Sequence, residues 1–552
     1  MARPDGSLAL LGDVLRGRLT RRDLLQRAGA LGLGASTVAA LLRAMPAAAA
    51  HPASLQEGTP AATRASVGAI TWALESAPPN IIPFGAIAAA QWWGKEFMYD
   101  SLLEFDRELK IQPALAESYE TPDPTTYVFH LRRGVKFHDG AEMTAKDVKY
   151  SLDLAVAPPE PGAVVPYLGN IAGVEVVDDY TVRVTMSKVD PTLPGVLAWG
   201  GYTPIVPEGI YDRINVLSEG IGTGPYKLVE YAQDDRIVYT AFEEFWRAGV
   251  PCVKDLSLKV LTDEQSRVAA LRSGEIDGAT FTPDVVLTLR NDDTLEVLSG
   301  LTSSPRVIHF NTVKEGVPWR DARVRQAINH AVNRQEIVDK VYAGDAEFTG
   351  PIPPGYGDWF IPADELAAQF YVHDPDRAKQ LLTEAGFDAG FAVTLQAIAA
   401  PREYVQIAEI VREQLKPLNI EVTVEPLEIG QFAKNIGDGT FDWASTARGM
   451  RGDPSGYVID FRSGTSLHQK WFGAGYKNDE LDRLYDEALA TLDQAQRHAL
   501  YRRIQELILT DAANLYTVQP LRYHVVRDRV EGMYVWYVGG NAGLREACAA
   551  DE

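Results

Sequence analysis

A chain of 552 residues is longer than one hydrophobic core organises, so two or more lobes are expected. Its 46% apolar and 23% charged residues are the composition of a globular protein. The 53 Lys plus Arg against 75 Asp plus Glu leave a formal charge of −22, which repels nucleic acid and anionic lipid, so no nucleic-acid partner is expected.

In chain order, Thr20-Arg21-Arg22-Asp23-Leu24-Leu25 precedes an uncharged, Ala/Gly/Leu-rich run over 28–42, then Arg43 and small residues ending at Ala50. This is a basic n-region, a short h-region and an Ala-x-Ala cleavage site. The apolar run is too short to span a bilayer core of about 30 Å. Residues 1–50 therefore read as a signal, with Arg21 and Arg22 resembling the twin-arginine (Tat) consensus and cleavage after Ala50. No Cys stands at the cleavage site, so a soluble periplasmic or extracytoplasmic protein without a lipid anchor is expected. Residues 51–66, rich in Ala, Thr and Pro, read as a flexible leader.

From residue 67, β-rich runs alternate with amphipathic helices, the pattern of an α/β protein. Tyr127-Val128-Phe129-His130-Leu131 reads as a strand closed by the turn His138-Asp139-Gly140. Thr144 with Asp147 opens a helix through a capping box, and Asp178-Asp179 joins a hairpin of 174–177 and 181–184. Asp374-Pro375 starts a helix with Ala378, Leu381, Leu382 and Ala385 inward and Gly386 at its end. Ile407, Ile410, Val411 and Leu415 mark a helix over 404–415 that leads into a strand over 420–424. Further stripes are Leu481, Leu484, Ala488 and Leu492, and Leu500, Ile504, Leu507 and Ile508. All of these are expected core.

Catalytic signatures are missing. No G-x-S-x-G, Walker A or H-E-x-x-H motif occurs. Gly220-Ile221-Gly222-Thr223-Gly224 is followed by Pro225, which forbids the helix a phosphate loop needs, so it reads as a turn. The nine histidines are scattered; His130 and His138, the closest pair, have no third ligand in sequence, so no metal is expected and their roles read as structural. The two cysteines, Cys252 and Cys548, form no CxxC pair; one long-range bridge in an oxidising compartment and two buried free thiols both fit. No cofactor is expected, and the chain reads as a binder rather than an enzyme.

Ordered blocks support that reading. Ala116-Glu117-Ser118-Tyr119-Glu120, the run from Tyr127 to Gly140, and Thr144-Ala145-Lys146-Asp147-Val148 resemble the hallmark of family 5 solute-binding proteins, the oligopeptide, dipeptide and nickel receptors of ABC importers. Tyr99-Asp100-Ser101-Leu102-Leu103, Gly222-Thr223-Gly224-Pro225-Tyr226, Phe310-Asn311-Thr312, the run from Asp321 to Ala331 and Asp453-Pro454 follow in the family's order. The resemblance implies an α/β, two-lobed periplasmic-binding-protein fold of class II, cluster C type, with an extra subdomain in the first lobe. Lobe one would span 67–307, its extra subdomain about 108–199; lobe two would span 308–518; and 519–552 would return to lobe one. It further implies a monomer that binds a peptide or related small solute and works with ABC permease subunits, and with the ATPases indirectly. An exported hydrolase and a sensory solute receptor are the alternatives.

In the family's peptide receptors an aspartate four residues before the Pro of Asp-Pro holds the ligand's amino terminus; here that position is Met450. Thr446, Arg448, Met450, Arg451 and Asp453 are expected to line the cleft. Arg448 and Arg451 would clamp a carboxylate or phosphate and favour an anionic or uncharged ligand, the alternative for each being a solvated loop charge. By position in the family, Trp72, Leu74, Glu75 and Ser76 on the first strand and its turn, and Trp536 and Tyr537 before Gly539-Gly540, would also line it. Trp92 and Trp93 are further aromatic candidates.

Overall fold

The computed structural model describes residues 68–84, 92–157, 168–199, 203–448, 452–464, 475–537 and 539–550. Arg21, Arg22 and Ala50, expected in a signal, and Met450 and Arg451, expected at the cleft, lie outside them. Within the compact unit Thr63–Glu552, two large sheets and one smaller sheet organise the chain.

In the first large sheet the strands run in the order Leu295–Leu301, Val518–Arg527, Gly278–Phe281, Ala69–Leu74, Asp255–Val260, Arg236–Ala241 and Tyr226–Ala232, and an eighth, Ala346–Phe348, pairs with the start of Val518–Arg527. Ala69–Leu74 pairs parallel with both Asp255–Val260 and Gly278–Phe281, so it is central and buried, as its apolar run requires. The second sheet is ordered Ile420–Leu427, Phe391–Ile398, Trp443–Ala447, Arg306–Phe310 and Asn514–Tyr516. Each sheet has its own core, one around Trp72, Phe97 and Tyr239 and the other around Trp443, Trp319 and Val411.

The hairpin expected at Asp178-Asp179 forms between Ile171–Asp178 and Thr181–Met186. With Ala116–Asp123 and Thr126–Leu131 it makes a four-stranded antiparallel sheet. The helix Ala145–Val156 begins with the predicted capping box: Asp147 Oδ2 accepts from the Thr144 N–H at 2.8 Å. Its Val148, Leu152 and Ala155 are buried.

In the second half, Asp374 caps the helix Pro375–Glu384 by accepting from Arg377 N, and Gly386 follows with φ +81°. Glu403–Leu415, Asp479–Ala490 and Gln494–Thr510 are the helices of the other expected stripes. Leu492 is a correction: it falls in the link between the last two helices and is 42% exposed. The stripe ends at Ala488 because the helix ends at Ala490.

The glycine-rich run packs its backbone directly against Phe97 and Met98. A Cβ on Gly222 would clash with the Met98 carbonyl oxygen, and one on Gly224 would lie 2.5 Å from Phe97 O. Beside it, Asp100 Oδ2 accepts from Trp246 Nε1 at 2.9 Å and Thr223 Oγ1 at 3.2 Å, while Oδ1 pairs with Arg545. The blocks at Tyr99 and Gly222 thus meet in one structural knot. His138 belongs to it as well: Nδ1 accepts from Gly222 N at 3.3 Å and Nε2 donates to Gly224 O at 3.0 Å. Burial pushes its pKa down to about 4, so it is neutral. Cys252 and Cys548 are joined in a disulfide, Cα atoms 5.0 Å apart, which decides between the two readings left open by the sequence.

Candidate functional site

Apart from the short strand Ala346–Phe348, which pairs with the start of Val518–Arg527, the chain leaves the first sheet at Leu301, enters the second at Arg306, leaves that at Tyr516 and re-enters the first at Val518. Two crossings this short set the edges they join face to face. On the first sheet that edge holds the carboxyl ends of Ala69–Leu74, Gly278–Phe281 and Leu295–Leu301, because the register pairs Leu301 with Leu521 and Phe281 with Tyr523. On the second it holds the carboxyl ends of Phe391–Ile398 and Trp443–Ala447, since Arg306 pairs with Ala447 and Ala397 with Ser445. Facing carboxyl edges of α/β sheets are where ligands bind in such folds. Thr517 lashes the crossings together, its N and Oγ1 both donating to Arg306 O at 3.0 and 2.9 Å.

On the first edge, Glu75 and Ser76 sit in the turn after Leu74. Glu75 is partly exposed, and its Oε1 lies 3.5 Å from Arg522 Nη2. Trp72 and Leu74 are corrections: each is 1% exposed. Trp72 stands edge-on to His524 with centroids 5.0 Å apart, and both side chains belong to the first core, because alternation along the strand turns them to that face.

The second edge corrects the expectation for Arg448. Its guanidinium is buried against the carboxylate of Asp460, which is 1% exposed, so its charge is committed within the fold. Thr446 is buried in the strand opposite Val307. Asp453 is also committed: its two oxygens accept from Arg497 Nη2 at 3.0 and 2.9 Å, and Oδ1 accepts from Ser455 N at 2.9 Å.

Trp536 and Tyr537 reach the crossing. Tyr537 O accepts from Ser303 N at 2.8 Å, its hydroxyl donates to Pro354 O at 2.6 Å, and Ser303 O accepts from Tyr457 OH at 3.2 Å. Trp536 is half-buried in the aromatic cluster that gathers Leu109 and Trp199 from one side and Tyr356, Tyr457 and Tyr501 from the other. The two sides also touch by backbone. Gly195, in the short helix Leu193–Leu197 of the first core, lies so close to Gly452 that a Cβ on it would clash with Gly452 O, and a Cβ on Gly452 would fall 2.9 Å from Gly195 O. Arg522 and Glu96, both near this edge, carried no sequence signal: Arg522 reads as one charge in a strand, and Glu96 as one of many carboxylates. Among the described residues no group of His, Cys, Asp and Glu could hold a metal, and no helix is long and apolar enough to cross a membrane.

The arrangement defines a solute-binding protein of the periplasmic type, two α/β bodies joined by short crossings at facing sheet edges. The family described as bacterial extracellular solute-binding proteins, family 5 Middle, matches residues 110–468. Heme-binding protein A of Haemophilus influenzae is 29% identical over 473 residues, covering 79% of this chain and 84% of its own. Glutathione-binding protein GsiB of Salmonella choleraesuis is 30% identical over 427 residues, covering 74% of this chain and 81% of its own. The solved structure of the ABC transporter substrate-binding protein CtaP of Listeria monocytogenes superposes with a TM-score of 0.77 at 21% identity, over 88% of this chain and 100% of that one. The chain belongs to family 5 of the bacterial extracellular solute-binding proteins, and it is a substrate-binding receptor.

Proposed function

We propose that this receptor serves an ABC importer, capturing a peptide or similarly extended solute by closing its lobes and delivering it to membrane permeases. The observation that carries the reading is the pair of facing carboxyl edges joined by two short crossings, 302–305 and 517. With few residues between the bodies, rotation there closes the cleft, and a solute that prefers the closed form shifts the equilibrium toward it. In this reading lobe one is the first sheet with residues 519–552 returning to it, the four-stranded sheet is its extra subdomain, and lobe two is the second sheet. Glu75, Ser76, Trp536 and Tyr537 line the cleft in this reading. The names of the relatives, for heme and glutathione, support solutes larger than one amino acid.

Export through the twin-arginine route, without a lipid anchor, completes the proposal. The disulfide supports it, since such bonds persist in oxidising compartments. The test is twofold. Small-angle scattering of the purified protein with the solute recovered from its own host is expected to show a smaller radius of gyration than without it; an unchanged radius refutes closure. Replacing Arg21 and Arg22 by lysine is expected to leave uncleaved precursor in the cytoplasm; normal export would refute the route.

A further inference from the structure

On the strand Val518–Arg527 the side chains of Val526, His524 and Arg522 share one face and step from the interior to the edge. Val526 lies in the core. His524 is buried, its Nδ1 3.1 Å from Thr280 Oγ1. Arg522, outermost, keeps 19% of its side chain exposed, with its guanidinium 5.6 Å above the Trp93 ring. Nη2 donates to Thr280 Oγ1 at 3.1 Å and reaches Glu75 Oε1 only at 3.5 Å. Nε is buried and has no partner among the described residues. A guanidinium fork with one edge unused, and a single half-exposed carboxylate at the limit of hydrogen-bond distance, is a cation whose ion pairing is incomplete.

Two more unsatisfied groups stand beside it. Trp92 Nε1 and Glu96 Oε2 are both buried without a partner among the described residues, although Glu96 Oε1 accepts from Asn541 N at 2.8 Å. A Cβ on Gly540 would lie 3.3 Å from Trp92 Nε1 and 2.8 Å from Glu96 Oε2, so the Gly540 backbone packs directly against both groups and leaves no room for a side chain there. Gly539 and Gly540 both have positive φ, +79° and +93°, and a Cβ on Gly539 would lie 3.9 Å from Arg522 Nη1. The backbone therefore passes close under the guanidinium with nothing to shield it. Desolvation raises the Glu96 carboxyl to about 8, so near neutrality it carries a proton and donates. Trp92 N–H, Glu96 O–H and Arg522 Nε–H are then buried donors without a partner among the described residues, beside the edge that faces the second lobe, and a carboxylate is their complement. In a chain of formal charge −22 the overall field repels such a ligand, so capture has to come from a local, partly desolvated fork.

The geometry points to Arg522, with Trp92 and the Gly539-Gly540 backbone beside it, as the anchor for a carboxylate of the captured solute, and to Glu75 as the group that yields Arg522 when that carboxylate arrives. This rests on the receptor reading and names the ligand class within it. It also places an anion site on the lobe opposite Arg448, whereas the sequence led one to be expected at Arg448 and Arg451.

The experiment is calorimetric titration with two matched pairs, glutathione against its diamide and Met-Leu against Met-Leu amide, alongside native mass spectrometry of protein from its own host. At least one acid is expected to bind tenfold or more tightly than its amide. Arg522→Gln should erase that ratio, Arg522→Lys should keep part of it, and Glu75→Gln should tighten the acid. An unliganded melting temperature unchanged in Arg522→Gln shows that the variant folds. Amides that bind as well as acids, a ratio that survives Arg522→Gln, or failure of both acids together with a co-purified solute that lacks a carboxylate would overturn the inference and leave the receptor reading standing. A protein that carries no solute and responds to none sinks the receptor reading itself.

Discussion

The carboxyl of Glu96 is fully buried, and desolvation lifts its pKa from 4.5 to about 8 against the lowering influence of Asn541 N–H, Arg545 and Arg522. Below pH 4.5 it is protonated whether the chain is folded or not. Between 4.5 and about 8 the folded protein holds a proton that the unfolded chain has released, so stability falls as pH rises, by up to about 1.4 kcal/mol per unit. Glu96→Gln keeps the shape and the acceptor for Asn541 N and has no proton to lose. Urea unfolding at pH 5 and pH 8 is expected to show the variant gaining on the wild type across that window; parallel pH profiles would refute the assignment. At this scale the sequence was least informative. Arg448 and Arg451 looked alike as loop arginines, yet Arg448 is bound to Asp460, twelve residues away and buried. Asp453, part of the motif Asp453-Pro454, is held by Arg497 from the helix Gln494–Thr510. Neither partnership follows from spacing, because each depends on how separate elements pack.

Elements were read more faithfully, since their causes are local. The capping box at Thr144 and Asp147 and the N-cap Asp374 before Pro375 are short-range chemistry and formed where the residues placed them, and the hairpin expected at Asp178-Asp179 formed with its turn one residue on, at Asp179-Tyr180. Leu492 failed for a reason of the same kind: the period continued in sequence beyond the point where the helix stopped. The Gly195 and Gly452 contact is the element-scale feature that no local rule reveals. Neither residue has a positive φ, so glycine is needed there for close approach alone. Gly195→Val is expected to hold the lobes apart and weaken affinity for the co-purified solute at least tenfold, about 1.4 kcal/mol. The unliganded unfolding midpoint should stay within a degree or two. Calorimetry with the native solute checks the first and thermal denaturation the second; unchanged affinity would show that the contact is not used in closing.

Across the whole molecule, the Cys252–Cys548 disulfide ties the C-terminal return to the segment before the strand Asp255–Val260, over a separation of 296 residues. A cross-link over so long a loop restricts the unfolded chain, and its loss typically removes about 2–4 kcal/mol. Cys252→Ser with Cys548→Ser is expected to lower the unfolding midpoint, and dithiothreitol to lower that of the wild type alone. Equal midpoints in all four conditions would mean that the bond contributes nothing.

By itself the sequence determined the α/β character, the caps and turns and the ordered blocks of family 5, because periodicity, capping and motif order are written in neighbouring residues. Only the tertiary structure decided that Trp72 and Leu74 are core, that Cys252 meets Cys548, that Arg448 is neutralised by Asp460, and that Arg522 Nε stands without a partner among the described residues beside Trp92 and Glu96. Those outcomes depend on which sheet edges the two crossings bring together, and a chain that passes twice between its lobes leaves no trace of that pairing in any single stretch of residues.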